Sequence, residues 1–257
     1  LVCAWLLNEA GGSASYDLVR RRPISFGAVW DATSRGPSLR FDGTAAQHWA
    51  ETPDDYPVLN GITQMSISVW IYRRGGVLYD GIINRSVPSG SAGFDIDLGG
   101  ALGGVEDLFI RCGASVNEYG YTNDGSVPLN GWTHVCVVYN GTLTGNPAKL
   151  KLYVNGIQKT LVFQGATIAT QMPTITRPIR LGRVEYSSGA ANDYFNGFID
   201  LPFIWTRALT PDEIRSLYEQ PYQMVTSSAQ RMAMYAASLP VSGTGGVGGI
   251  INNPIPM

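Results

Sequence analysis

Ser66-Ile67-Ser68-Val69-Trp70-Ile71 alternates aliphatic residues with small polar or aromatic ones, and a period of two puts Ile67, Val69 and Ile71 on one face of a strand. Outward from it, short runs of the same kind recur at Ser38 to Asp42, Phe94 to Leu98, Asp107 to Cys112, Thr133 to Tyr139, Lys149 to Val154, Ile157 to Phe163 and Ile179 to Val184. Asp-Gly or Asn-Gly pairs beginning at Asp42, Asn60, Asp80, Asp124, Asn130, Asn140, Asn155 and Asn196 punctuate them, as suits tight turns that need positive φ. Lys149 to Val154, closed by Asn155-Gly156 and followed by Ile157, predicts a hairpin. Many short strands with regular turns predict an all-β sandwich or jelly roll. One helix is expected, over Thr210 to Glu219. Thr210 caps it, Pro211 fits its first turn, Glu213 completes a capping box, and Ile214, Leu217 and Tyr218 share a face that should dock on the sandwich edge as a lid.

Composition narrows the functions available. Charged residues are only 15% of the 257, and the formal charge of −2 lacks the basic excess that phosphate neutralisation requires. The run Arg20-Arg21-Arg22 beside Pro23 reads as a solvated loop, so no nucleic-acid partner is expected. Cys3, Cys112 and Cys136 have no metal-ligand spacing and read as buried free thiols. Leu1 to Leu7 is too short to span a bilayer and has no basic start, so neither a cleaved signal nor membrane insertion is expected.

Five blocks stand in a telling order: Leu39-Arg40-Phe41-Asp42-Gly43, Ser66 to Ile71, Gly131-Trp132-Thr133-His134-Val135, Leu152-Tyr153-Val154-Asn155-Gly156, and Phe195-Asn196-Gly197-Phe198-Ile199-Asp200. With Ile204-Trp205-Thr206-Arg207-Ala208-Leu209-Thr210 and the capped helix, residues 1–222 resemble the laminin-G-like, concanavalin A-like lectin/glucanase jelly roll. The resemblance implies two antiparallel sheets and a glycan- or protein-binding role. It also implies a structural calcium ion near the termini, for which Asp200, the Gly43 carbonyl and Glu9 are the matching positions.

Two further readings concern ligands. Loop tyrosines beside amides suit sugar faces, which singles out Tyr119, Tyr121 and Asn123 as one patch and Asn192, Asp193 and Tyr194 as another. Asp95 and Asp97 share a strand face and faintly resemble the acid pair of related hydrolases. Gly100 stands where those enzymes place a third acid, so a non-catalytic protein is expected. His48 and His134 are the only histidines, without a nucleophile-elbow motif.

The C-terminal 223–257 changes character. It carries one charge, Arg231, with a Gly-rich stretch from Ser242 to Gly249, yet includes Met232, Met234, Tyr235, Leu239, Ile250 and Ile251. Such a segment suits an assembly arm buried on another surface. Leu217 to Met224 resembles the close of laminin-G-like proteins of tailed bacteriophages. The expectation is a virion protein of the capsid or tail, displayed on the particle surface after assembly in the host cytoplasm. Its expected partners are other virion proteins and copies of itself. The alternative is an adhesin or lectin module that recognises cell-surface glycans.

Overall fold

The computed structural model describes residues 1–43, 49–76, 80–87, 92–100, 103–187 and 190–223. The chain divides into Leu1–Pro221 and Tyr222–Met257. The arm positions Met232, Met234, Tyr235, Leu239, Ile250 and Ile251 lie outside the described residues.

Leu1–Pro221 is a sandwich of two mostly antiparallel sheets. Neighbour by neighbour, the first runs Ile157–Lys159, Leu150–Val154, Trp132–Asn140, Gln64–Arg73, Asn196–Trp205, Gly36–Asp42 and Val29–Thr33, with Cys3–Ala4 also on Asn196–Trp205. The second runs Val162–Gly165, Glu118–Tyr121, Gly103–Gly113, Gly93–Gly100, Asp80–Ser86, Pro178–Leu181, Ala50–Asp55, Pro23–Phe26 and Ala14–Tyr16. A hairpin of Arg183–Ser187 and Ala190–Tyr194 joins it through a parallel bridge of Tyr194 to Gly81. Ile67, Val69 and Ile71 lie fully buried between the sheets, and Phe94, Ile96, Leu98, Leu108 and Ile110 enter the same core from the other side. The three cysteines are free and buried.

Two predicted runs break across structure. Ile157 to Phe163 divides into Ile157–Lys159 on the edge of the first sheet and Val162–Gly165 on the edge of the second. Ile179 to Val184 divides at Gly182, whose φ of +78° turns the chain. Lys149 belongs to a single helical turn, Asn146–Lys149, ahead of its strand. Asp80-Gly81 and Asn196-Gly197 lie inside strands instead of forming turns.

Helix Pro211–Glu219 forms as the sequence predicts. Thr210 Oγ1 accepts from the Glu213 N–H while Glu213 Oε2 accepts from the Thr210 N–H, which satisfies two orphan donors of the first turn. Its position differs from expectation. Tyr218 stacks on Trp70 with ring centroids 5.7 Å apart, and Trp70 stands on a strand with neighbours on both sides, so the helix covers the sheet face and not the sandwich edge. Among the described residues no helix is long and apolar enough to cross a membrane.

Candidate functional site

The inward residues of Gly93–Gly100 and Gly103–Gly113 are Phe94, Ile96, Leu98, Leu108, Ile110 and Cys112, so alternation turns Asp95, Asp97, Phe109 and Arg111 to the outer face of the second sheet. Cross-strand register extends this polar face into two rows. One row reads Tyr119, Arg111, Asp95, Asn84, Arg180, Glu51. The next reads Tyr121, Phe109, Asp97, Gly81, Tyr194, Arg183. A bulge between Gly81 and Ile83 lets Ile82 and Ile83 both enter the core while Asn84 returns to the outer face.

The middle of this face is closed and ion-paired. Asp95, fully buried, accepts from Arg111 Nη1 at 2.7 Å and from Ser86 Oγ at 2.6 Å. That contact explains why the carboxylate tolerates burial without opposing Asp97 across a cleft. The two ends are part-exposed. At one end Tyr119 packs on Phe109 with centroids 4.8 Å apart, and Tyr121, itself buried, accepts through its hydroxyl from Gln164. At the other, Glu51 accepts from Arg180 Nε at 2.5 Å and Arg183 Nη2 at 2.8 Å, and the Arg183 guanidinium lies 4.1 Å from the centre of the Trp49 ring. Trp49, Glu51, Arg183 and Tyr194 are all part-exposed.

Both predicted tyrosine patches therefore reach one sheet. Tyr121 and Tyr194 occupy the same register row, four strand steps or about 19 Å apart. Asn123 is exposed beyond the strand that carries Tyr119 and Tyr121. Asn192 and Asp193 share strand Ala190–Tyr194, and their side chains lie outside the described residues. Trp49, Glu51, Arg180 and Arg183 escaped the sequence reading. The alternation of Arg180 with buried Ile179 and Leu181 was the available signal for one of them.

The expected calcium ligands are not brought together. Gly43 donates its N–H to the Phe195 carbonyl, which places it five residues along the strand from Asp200, on the order of 15 Å away. Ligands of one calcium ion lie within about 2.6 Å of it, so this pair cannot share an ion. Glu9 accepts a hydrogen bond from Ser15 Oγ. Among the described residues no group of three His, Cys, Asp or Glu side chains is placed to hold a metal.

Asp200 instead anchors a cluster under the helix. Arg35 Nε donates to its Oδ2 at 3.1 Å, and the Arg35 guanidinium stacks 3.9 Å from the Trp70 ring centre. Trp70 is the register partner of both Asp200 and His134. His134 sits 2.8 Å from Ser68 Oγ, and burial with nearby Arg35 pushes its pKa down to about 3, so it stays neutral at ordinary pH. Burial pushes the Asp200 carboxyl up to about 6, partly offset by Arg35. The folded state therefore holds this proton up to about pH 6, while the unfolded chain releases it near 3.8. Stability from this group is full below pH 4 and falls as pH rises to 6, by on the order of 3 kcal/mol. Urea titrations at pH 4 to 7 on wild type and Asp200→Asn check this: the variant should lose that downward component, and an unchanged pH profile would refute it.

The fold defines the class: a laminin-G-like jelly roll whose second sheet carries an aromatic, ion-paired outer face. Residues 42–215 match the family described as the concanavalin A-like lectin/glucanases superfamily, and the chain belongs to that family. Human adhesion G-protein coupled receptor D1 is 29% identical over 185 residues, which are 66% of this chain and 19% of the receptor. Domain 4 of AbnA, an extracellular arabinanase from Geobacillus stearothermophilus solved in complex with arabinotriose, has a TM-score of 0.59 at 19% identity, over 85% of this chain and 98% of that one. The binding domain of Paraclostridial Mosquitocidal Protein 1 has a TM-score of 0.63 at 16% identity, over 87% and 52%. The botulinum neurotoxin serotype D ligand binding domain, solved in complex with N-acetylneuraminic acid, has 0.59 at 14%, over 86% and 51%. The chain thus spans about a fifth of the receptor and about half of the toxin domains.

Proposed function

We propose that this chain is a non-catalytic glycan-binding module whose ligand lies along the outer face of the second sheet. The observation that carries the reading is the register row that sets Tyr121 and Tyr194 on one face, with part-exposed rings at both ends and a fixed charge network between. Aromatic faces take the C–H side of sugars, and held carboxylates and guanidinia take their hydroxyls. Support comes also from the relatives: the arabinanase domain was solved with arabinotriose and the toxin domain with N-acetylneuraminic acid. Catalysis is not proposed, because Asp95 is committed to Arg111 and Ser86 and is fully buried.

A glycan array probed with the full chain tests this. Binding to a defined group of oligosaccharides is expected, weakened roughly 2- to 12-fold by Tyr119→Ala or Tyr194→Ala, since a stacking ring contributes about 0.5–1.5 kcal/mol. No reducing ends should appear when bound glycans are incubated with the protein. Release that vanishes in Asp97→Asn would overturn the non-catalytic reading, and an array without hits would overturn the binding reading.

A virion role is the second reading. It rests on the composition of 223–257, with its single charge and apolar residues, and on the resemblance of Leu217 to Met224 to the close of phage laminin-G-like proteins; no relative named above bears on it. Peptides of this chain in purified phage particles would favour it, and their absence from particles of a strain that expresses the chain would remove it.

A further inference from the structure

We infer that the outer face of the first sheet carries a second glycan site, for a neutral oligosaccharide, on the ring row of Trp132, Tyr72 and Phe198. It is separate from the face proposed on the second sheet. The three rings belong to register partners on neighbouring strands, and Arg40 and Val29 continue the row. Val135, Ile71, Ile199 and Leu39 point into the core from the same strands, so alternation turns the row outward. Helix Pro211–Glu219 covers the adjacent row, where Tyr218 stacks on Trp70 and His134. Trp132 and Tyr72 stay part-exposed beside it.

The rings hold one another. Tyr72 meets Trp132 and Phe198 edge-on, with centroids 5.7 Å from each, so the platform is set before a ligand arrives. Polar groups stand at its margin. The Arg35 guanidinium lies 3.9 Å from the Trp70 ring centre and 5.4 Å from that of Trp132, and its Nε donates to Asp200 Oδ2. Arg35 Nη2 and Asp200 Oδ1 are buried without a hydrogen-bond partner among the described residues. A donor and an acceptor left unpaired beside a ring suit a group that is both, which a sugar hydroxyl is. An apolar protein side chain laid on the row would leave both unsatisfied. Arg35 stands on the turn between Val29–Thr33 and Gly36–Asp42, and a shift of its part-exposed side chain opens the two atoms to a ligand. Charge on this face is balanced: Arg35, Arg40 and Arg74 are matched by Asp200, Asp31 and Asp42, with Arg35 on Asp200 and Arg40 on Asp31. That balance gives no pull on a polyanion or a polycation, so the ligand is neutral.

The test first removes the second-sheet face, with Tyr119→Ala and Tyr194→Ala combined in the full chain. That protein is titrated with cellohexaose, xylohexaose, arabinohexaose and mannohexaose, and with heparin and chitosan oligosaccharides as charged controls, while tryptophan fluorescence is read. At least one neutral hexaose should bind saturably. Adding Trp132→Ala should weaken it about 2- to 12-fold, and adding Arg35→Gln at least about tenfold, with a thermal melt to show each fold intact. Trp132→Phe keeps a ring, so affinity should hold within about threefold while the fluorescence change shrinks. No neutral binding by the doubly substituted protein overturns the inference, and wild-type binding would then leave the second-sheet reading standing. Affinity unchanged by whichever of Trp132→Ala and Arg35→Gln stays folded also overturns it. Preference for heparin or chitosan overturns the neutral assignment. Self-association in sedimentation that Trp132→Ala abolishes, without glycan binding, would give the row to a second copy of the chain.

Discussion

Arg111→Met should lower the stability of the domain by about 3–5 kcal/mol, the cost of leaving a buried charge without its partner. Asp95 is fully buried and Arg111 nearly so, and their atoms meet at 2.7 Å. With the guanidinium gone, Asp95 keeps only Ser86 Oγ among the contacts described, and it must either protonate or hold an orphaned charge. Adding Asp95→Asn to Arg111→Met should restore part of the loss, because neither charge is then stranded, so the double variant should cost less than the two singles added. Urea denaturation of the four proteins measures this. A loss below about 1 kcal/mol in Arg111→Met would show that the pair is hydrated and accessible. That result would reopen a chemical role for Asp95.

Gly81→Ala should remove the ligand end of the second sheet. A Cβ at Gly81 would stand 2.4 Å from the carbonyl carbon of Arg183 and 2.6 Å from the backbone nitrogen of Val184. Backbone atoms cannot rotate aside as a flexible side chain would, so hairpin Arg183–Ser187/Ala190–Tyr194 must lift from strand Asp80–Ser86. Overpacking of this kind costs about 1–3 kcal/mol. The larger effect falls on binding, since Tyr194 leaves its row with Gly81 and Asp97 and Arg183 loses its hydrogen bond to Glu51, and affinity for glycans on the array should drop at least about tenfold. Gly131→Ala is the matched control: nothing lies within 4 Å of its Cβ position, so stability should stay within about 0.5 kcal/mol and binding unchanged. If Gly81→Ala keeps full affinity, the hairpin does not contribute to the site.

What the sequence by itself determined was local. Period-two alternation placed Ile67, Val69 and Ile71 in the core, and the Thr210 to Glu213 spacing fixed the helix start, because strand facing and capping depend on residues only a few positions apart. The order of five blocks was enough to identify the jelly roll. Tertiary structure alone decided which strand lies beside which. Ile157 to Phe163 reads as one run, yet it serves two sheets, and alternation does not register a change of partner. The corner of Glu51, Arg180 and Arg183 joins residues 129 and 132 positions apart. Asp200, which matched a calcium position, pairs with Arg35 across 165 positions. Contacts of that span are set by sheet register, and register follows from packing the whole core at once; the site's charges could not be paired until the strands that carry them were.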